Sequence, residues 1–403
     1  MSTDERRAER LATLRLVHAS NVGPVTYRKL VRIFGSAEAV LAAPQARLEE
    51  VPDLGRKTAQ SIRQAASDAW AEEELARASV RGVTILTLDD PAYPKPLLNT
   101  YDPPPVLYVS GELRPEDALA VAIVGTRHCS PYGRKQAERL AAGLALAGFT
   151  VVSGLARGVD TSAHQGAMDA GGGRTLAVLG TGVDHVYPPE NSKLHTRIAG
   201  GGGAVLSELP LGTPPSSENF PRRNRVIAGL ALGTIVIEGS ATSGALITAR
   251  YAVDMDREVF AVPGPVDSPN SAGPHRLIKQ GAKLIEDVED VLAELREVAA
   301  PLVKLRPPDE RLRLPKMGKD KEPAAPLLES VPDARPAPAD LRAINLNPRE
   351  QALFGMLDPH EPRGLDRLIT ESGLKPHEVL ATLMVLEVRR LCRQLPGKRF
   401  VKA

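Results

Sequence analysis

Glycine and arginine residues follow several apolar segments in the middle of this chain. The first two groups, in chain order, are Gly125, Thr126 and Arg127, and then Ser153, Gly154 and Arg157. Glycine lets backbone amides come close to an anion, and the planar guanidinium group of arginine fits a phosphate. Ser130 and Pro131 begin a helix behind the first group, and a helix start also favours negative charge. The pattern predicts a site for phosphate groups.

A third group concentrates positive charge in one short stretch. Its residues are Phe220, Pro221, Arg222, Arg223, Asn224 and Arg225. Three arginines in four residues repel one another unless an anion balances them, and phosphate is the natural partner. Phe220 offers either a stacking face for a base or an anchor in the core. Ser243 and Gly244 then open a further helix, whose first amides add donors for an anion.

The elements that position these groups belong to an open α/β sheet. Between residues 83 and 263, short β-branched runs alternate with helical stretches, which is typical of a parallel sheet with crossover helices. Ligands of such sheets bind outside the carboxyl ends of the strands, so we expect the three groups along one edge. The predicted strands are 83–86, 121–124, 150–152, 175–179, 204–206, 234–237 and 259–262.

Two further parts flank the sheet. Apolar residues at helical spacing near the start, with a turn at Gly55, predict a helical domain that binds phosphate as a helix-hairpin-helix or serves as a docking domain. Three helical pieces and a hairpin near the end predict a winged helix, with Val379, Leu383 and Leu386 on one face of its third helix. The sequence leaves three roles open for its basic tail, residues 389–402: a wing that faces DNA, a contact with a protein, or a surface exposed to solvent. The expected domains are a helix-hairpin-helix-like helical domain (1–80), a Rossmann-like DNA-binding domain (81–300), a flexible proline-rich linker (301–344) and a winged helix (345–403).

The composition excludes several classes of protein. Because the net charge is only +2, any basic site must be local, and 3% aromatic residues argue against an extended stacking platform. No run of about 18 apolar residues is present to cross a membrane. The basic residues at the N-terminus are not followed by the apolar segment of a signal peptide, so we expect the protein to be located in the cytoplasm. Cys129 and Cys392 have no partners at ligand spacing, which argues against a disulfide framework and a metal site.

Motifs of common enzymes are missing from the sequence. No predicted strand is followed by Gly-x-Gly-x-x-Gly with an acidic residue about 20 positions later, and no phosphate-loop lysine is present. We interpret His164 as a capping or packing histidine rather than as a base, and Asp160 as a structural N-cap residue. These absences disfavour a hydride-transfer enzyme, and no cofactor is expected.

Four segments closely resemble the DNA-processing protein A family, also called DprA or Smf. They read VAIVGTRHCSPYG, VVSGLARGVDTSAHQGAMDAGGGRTLAVLGTGVDHVYPPEN, LSELPLGTPPSSENFPRRNRVIAGL and EGSATSGALITARYAVDMDREVFAVPG. The resemblance covers the whole central domain and extends more loosely to both ends. It implies DNA contacts at Gly125, Thr126, Arg127, Ser153, Gly154, Arg157, Phe220, Arg222, Arg223, Asn224, Arg225, Ser243 and Gly244, with Lys279 as an addition.

The resemblance also implies a function and partners. It implies a protein that binds single-stranded DNA without acting as an enzyme, protects incoming DNA during natural transformation and loads the RecA recombinase onto it. It further implies a homodimer formed through the Rossmann-like domain, a sterile-alpha-motif-like domain at the N-terminus and a winged helix at the C-terminus.

Two other functions compete with this one. Nucleotide phosphoribohydrolases share a similar layout, but they carry a Pro-Gly-Gly-x-Gly-Thr-x-x-Glu loop, and the corresponding residues 242–249 contain no glutamate. A regulator that binds duplex DNA would instead act through residues 345–403, with the central domain as its scaffold.

Overall fold

The computed structural model describes residues 3–303, 348–358, 363–374, 379, 382–383, 386, 391–395 and 399–402. The chain divides into two compact units, Met1–Lys316 and Met317–Ala403. The first unit holds a helical part followed by an α/β part, and the second is a winged helix.

Six short helices open the first unit and pack around an apolar core. Leu16, Leu30, Leu48 and Ile62 are fully buried in this core. Gly55 directly precedes the fifth helix, as the sequence predicts for the turn of a helix-hairpin-helix. The helices are α1 (Thr3–His18), α2 (Pro24–Phe34), α3 (Ala37–Ala42), α4 (Gln45–Glu49), α5 (Arg56–Ala65) and α6 (Trp70–Val80).

A nine-stranded sheet forms the centre of the α/β part. Its strands are β1 (Val83–Thr87), β2 (Val106–Gly111), β3 (Ala120–Val124), β4 (Thr150–Ser153), β5 (Thr175–Val178), β6 (Gly203–Ser207), β7 (Gly233–Val236), β8 (Glu258–Ala261) and β9 (Lys283–Leu284). They lie in the order β1-β2-β6-β5-β4-β3-β7-β8-β9. From β3 to β9 all pairings are parallel, as the sequence predicts.

The edges of the sheet differ from the prediction. The seven predicted strands are confirmed, with ends shifted by at most one residue, but β2 and β9 were not predicted. Strand β2 follows three consecutive prolines, which favour irregular structure, and β9 has only two residues. Because β2 pairs antiparallel with both β1 and β6, the sheet is mixed rather than wholly parallel.

Helices cover both faces of the sheet. They are α7 (Lys95–Leu98), α8 (Pro131–Leu146), α9 (Val159–Asp169), α10 (Ser192–Arg197), α11 (Asn219–Leu230), α12 (Gly244–Asp254), α13 (Ala272–Lys279) and α14 (Val288–Val303). Val121 and Ile123 pack against α8, α9 and α14, whereas Ala122 and Val124 pack against α11 and α12. Burial on both faces explains why these strands read as continuous apolar runs.

The winged helix forms a core of its own. Val379, Leu383 and Leu386 are buried together with Leu353 and Phe354, which confirms the predicted apolar face. Strands β11 and β12 pair antiparallel as the predicted hairpin. The described elements are α15 (Pro348–Met356), β10 (Arg363–Gly364), α16 (Leu365–Ser372), β11 (Cys392–Leu395) and β12 (Arg399–Lys402). Outside the described residues lie most of the predicted linker, except 301–303 at the end of α14, and three basic residues of the predicted tail, Arg389, Arg390 and Lys398.

The chain reverses its progress across the sheet between β3 and β7. From β3 it moves through β4 and β5 to β6 on one side, and from β7 it moves through β8 to β9 on the other. Neighbouring loops therefore diverge beyond the carboxyl ends of β3 and β7, and a crevice opens between them.

The loop after β4 is fixed by hydrogen bonds from two directions. Leu155 adopts φ +54°, a strained conformation for this residue type. Its amide donates to Nε2 of His164 (3.3 Å), and its carbonyl accepts from Nδ2 of Asn191 (2.8 Å). Because Nε2 of His164 accepts, Nδ1 carries the proton and donates to Oγ1 of Thr175 (2.7 Å). His164 is thus the packing residue that the sequence predicts.

The burial of His164 predicts a pH dependence of stability. Burial lowers the pKa of His164 from 6.5 to about 3, so below about pH 6.5 the unfolded chain takes up a proton that the folded chain refuses. This contribution to the free energy of unfolding is complete above pH 6.5 and falls toward pH 3, by up to about 1.4 kcal/mol per pH unit. We expect His164→Gln to show a shallower decline between about pH 6.5 and 4.5 in urea unfolding followed by circular dichroism. Parallel pH profiles of wild type, His164→Gln and the exposed control His128→Gln would contradict this assignment.

Candidate nucleic-acid interface

A pocket of about 730 Å³ lies at the crevice between β3 and β7. The loop after β3, the start of α11 and the first turn of α12 line it. Of the predicted residues, it brings together Gly125, Thr126, Arg127, Phe220, Arg223, Asn224, Ser243 and Gly244. A narrower cleft beside it runs along Arg127 and Phe220 to Gly154 and Arg157.

Arg127 presents an exposed positive charge to the pocket. Its guanidinium carbon lies 5.2 Å from the centre of the Phe220 ring, a distance typical of a cation–π contact. The ring of Tyr187 lies 5.5 Å from the ring of Phe220, so two aromatic faces stand beside the cation. Within the part of the chain that the structure describes, Arg127 has no ion-pair partner, whereas the neighbouring Arg157 pairs with Glu190. The charge of Arg127 is therefore available to a ligand.

The start of α8 is filled by a carboxylate of the protein itself. Buried Glu238 accepts hydrogen bonds from Ser130 N (2.8 Å) and Ser130 Oγ (2.6 Å). Ser130 also caps the helix by accepting from Gly133 N (3.1 Å), as the sequence predicts. The prediction that this helix start receives a phosphate is corrected, because Glu238 already supplies the negative charge there.

Asp160 lies in the first turn of α9 and binds the loop that precedes this helix. Its Oδ2 accepts from Gly154 N (3.1 Å) and Ala156 N (3.3 Å). Burial raises the pKa of Asp160, and the nearby Arg223 opposes that shift. Asp160 is structural as predicted, but the N-cap position belongs to Gly158, which has φ +75° and whose added Cβ would lie 2.4 Å from Thr126 O.

The start of α12 faces the pocket without a carboxylate. Ser243 caps it by accepting from Ala245 N (3.3 Å), and the first turn carries no acidic residue. Gly244 is exposed, and no atom lies within 4 Å of the place where its Cβ would stand. The partial positive charge of this 11-residue helix is thus directed at the space beside Arg127.

Arg223 lies beneath the pocket rather than in front of it. Its Nη1 donates to Gly154 O (2.7 Å) and to Val178 O, so it joins the carboxyl ends of β4 and β5. Burial lowers the pKa of Arg223 to about 10, with Asp160 opposing this shift and Arg127 adding to it. Arg223 stays charged at neutral pH and supports the floor of the pocket.

Arg225 points away from the pocket, contrary to the prediction. Its Nη1 donates to Asp102 O (2.6 Å), its Nε lies 3.4 Å from Asp102 Oδ2, and its Nη2 pairs with Glu208. Burial raises the pKa of Glu208, and Arg225 opposes that shift. Protein oxygens therefore balance two of the three clustered arginines, and the inference that the cluster as a whole requires phosphate is corrected. Arg222 is exposed and does not line the pocket.

Four other predicted residues lie outside the main pocket, namely Ser153, Gly154, Arg157 and Lys279. Ser153 is fully buried, and its Oγ donates to Ile123 O (2.6 Å), so its side chain is structural. Arg157 lines the narrower cleft in its ion pair with Glu190. Lys279 is exposed at the end of α13 and lines neither the pocket nor the cleft.

Sequence reasoning missed several residues of the pocket. Polar residues among them include His128, Tyr187, Thr248 and Asn270. Tyr187 lies nine residues after β5 and Asn270 nine residues after β8. Both residues therefore belong to long loops that follow the carboxyl ends of strands. The rule that ligands lie beyond carboxyl ends would have found them, had it been extended past the first few residues of each loop.

The chain matches three family models in succession. The model of DNA recombination-mediator protein A covers residues 84–296, a DprA-like N-terminal HHH domain covers 7–77, and a DprA winged helix domain covers 332–398. A Smf protein of Synechocystis sp. is 35% identical over 395 residues, which cover 94% of this chain and 95% of that protein. The chain belongs to the DNA processing protein A family.

Two further likenesses agree with membership of the DNA processing protein A family. The DNA processing protein DprA of Streptococcus pneumoniae is 46% identical over 207 residues, covering 51% of this chain and 72% of that protein. The X-ray structure of DNA processing protein A from the same species superposes with a TM-score of 0.63 at 34% identity, covering 70% of this chain and 97% of that one. Among the described helices of this family member, none is long and apolar enough to cross a membrane.

The placement of Arg225 predicts a loss of stability on its removal. In Arg225→Met, the buried Glu208 loses its counter-charge and Asp102 O loses its hydrogen-bond donor, so we expect the free energy of unfolding to fall by about 3 kcal/mol or more. The exposed neighbour provides a matched control, because Arg222→Met removes the same group at the surface and should change stability by less than about 0.5 kcal/mol. Urea unfolding of both variants measures the difference. Equal stabilities would place Arg225 outside the internal ion pairs.

Proposed function

We propose that this chain binds single-stranded DNA in the pocket between β3 and β7. One observation carries the proposal: Arg127, which has no ion-pair partner among the described residues, and the open start of α12 line the same pocket as the ring of Phe220. Arg127 and the amide of Gly244 bind backbone phosphates, and Phe220 with Tyr187 provides faces for a base. A longer strand would extend beyond the pocket, and we still predict that it contacts Arg157, Arg222 and Lys279.

The shape of the pocket favours single strands over duplex DNA. The aromatic rings lie inside a concavity, where only a base that has left its stack can reach them. In a duplex the bases are stacked and paired, so only the outer phosphates would meet the protein. The pocket is small and carries few cations, so affinity depends on a few contacts rather than on a broad basic surface.

We infer the biological role of the chain from its membership of the DNA processing protein A family. The matched model describes a recombination mediator, and relatives of this chain are named DNA processing proteins. We infer that the chain acts in the cytoplasm, protects incoming single-stranded DNA during natural transformation and loads RecA onto it. We further propose that it works as a homodimer formed through the α/β part and catalyses no reaction on the DNA. Binding of a strand in a fixed pocket supports the proposed protection of the DNA, because the bound bases and phosphates are shielded from other proteins.

The sharpest test of DNA binding removes one charge from the pocket. We expect Arg127→Ala to lower the affinity for oligodeoxythymidylate by about tenfold or more, or about 1.4 kcal/mol, because the guanidinium that the variant lacks binds a phosphate directly. The slope of log affinity against log salt should become shallower by about 0.7, as expected when one fewer phosphate of a single strand is neutralised. Fluorescence anisotropy of a labelled oligomer measures both quantities.

A matched variant controls for the loss of charge alone. Arg250 lies on α12 with its side chain 84% exposed and is absent from the pocket lining, so Arg250→Ala makes the same chemical change away from the pocket. We expect nearly unchanged binding for this variant. If Arg127→Ala and Arg250→Ala bind as tightly as wild type, the pocket is not the DNA site.

The rival enzymatic function is tested separately. In the loop 242–249 no carboxylate is present, and the nearby Glu238 is buried on Ser130. Asp160 lines the pocket, but it is buried and accepts from Gly154 N and Ala156 N. None of these described groups therefore presents a free carboxylate to a nucleotide in the way a phosphoribohydrolase requires. Incubation with nucleoside monophosphates should release no free base by chromatography. Turnover that disappears in Glu238→Gln would overturn the non-enzymatic proposal.

A further inference from the structure

A buried asparagine, Asn191, fixes the turn that carries the carboxylate of Glu190 near the narrower cleft. Asn191 directly follows Glu190 in the turn before α10, and its side chain is buried. Its Nδ2 donates to Leu155 O (2.8 Å) and to Thr161 Oγ1 (2.8 Å). Leu155 belongs to the same short loop as Arg157, so the turn that carries Glu190 and the loop that carries Arg157 are fastened together.

Glu190 pairs with Arg157 at this junction. The two side chains are 52% and 49% exposed, so the ion pair is open to solvent and to a ligand. Arg157 lines the cleft that also contains Arg127 and Phe220. Its hydrogen bond with Arg157 holds the pKa of Glu190 below its usual range, which keeps the carboxylate charged at neutral pH.

We propose that Glu190 is an internal counter-ion that competes with a DNA phosphate for Arg157. The proposal rests on the proposed binding of single-stranded DNA and adds a residue that limits its affinity. Exposed ion pairs contribute little net free energy, so a phosphate can take the guanidinium from the carboxylate. The displaced carboxylate stays nearby, because Asn191 fixes its turn, and it repels the phosphate. Glu190 therefore weakens the grip on DNA and favours release of the strand.

The chain offers a matched ion pair for comparison. Arg197 pairs with Asp169 at 2.7 Å, with side chains 49% and 64% exposed, and it joins α10 to the end of α9. Neither residue lines the pocket or the cleft. Neutralising Asp169 changes the net charge as much as neutralising Glu190, but it frees an arginine elsewhere on the surface.

The test measures anisotropy of a labelled oligodeoxythymidylate with the full-length chain between about 50 and 200 mM salt. We expect Glu190→Gln to raise the affinity about threefold or more at the lower salt and to steepen the salt slope by up to about 0.7, because no displaced carboxylate is left to take up a cation when the phosphate binds Arg157. Asp169→Asn should leave both quantities nearly unchanged. The gain should vanish when Arg157→Ala is compared with the double variant Arg157→Ala/Glu190→Gln, because no guanidinium is then released.

Three outcomes decide against the proposal. Unchanged or weaker binding by Glu190→Gln would overturn it, and so would an equal gain by Asp169→Asn or a gain that persists without Arg157. In each of these cases, a loss of affinity in Arg127→Ala leaves the DNA-binding pocket standing, and only the role of Glu190 fails. If the wild-type chain does not bind the oligomer, the proposed function fails and this proposal fails with it.

Discussion

A positive charge inside a protein requires hydrogen-bond acceptors or a counter-charge, and this requirement organises the carboxyl edge of the sheet. Asp160 and two backbone carbonyls balance Arg223, whereas Glu208 and Asp102 balance Arg225. Glu238 likewise binds the N-cap residue of α8, and Asp160 binds the loop before α9. Among the described groups that line the pocket and the cleft, Arg127 and the start of α12 remain available to a ligand, and in our proposal Arg157 joins them when Glu190 releases it. The proposed binding site thus consists of the positive groups that the fold has not already balanced.

The same hydrogen bonds that use up charge also fix the shape of the pocket. The strained Leu155 is held on one side by His164 and on the other by Asn191, and Arg223 links the ends of β4 and β5 beneath it. A loop held by so many partners loses little conformational freedom when a ligand binds. Few contacts can then give useful affinity, which suits a chain with a net charge of only +2.

The sequence predicts the parts of this arrangement that depend on local pattern. Gly125, Thr126 and Arg127 directly follow β3, and Ser243 caps α12, because strand ends and helix caps leave signals within a few residues. Sequence reasoning fails where distant segments meet. No residue near Arg225 in the sequence indicates that Asp102, 123 residues earlier in the chain, accepts its hydrogen bond. The local pattern therefore wrongly assigns this arginine to DNA. Strand β2 was missed because three prolines precede it and because its antiparallel pairing with β6 depends on the finished sheet.

A crystal structure of the full-length chain with a short oligodeoxythymidylate tests this division of charges most directly. We predict phosphate oxygens within hydrogen-bond distance of the Arg127 guanidinium and the Gly244 amide, with Glu238 still on Ser130 and Arg225 still on Glu208. Phosphates bound at Arg225 or at the start of α8, with the pocket between β3 and β7 empty, would contradict the account.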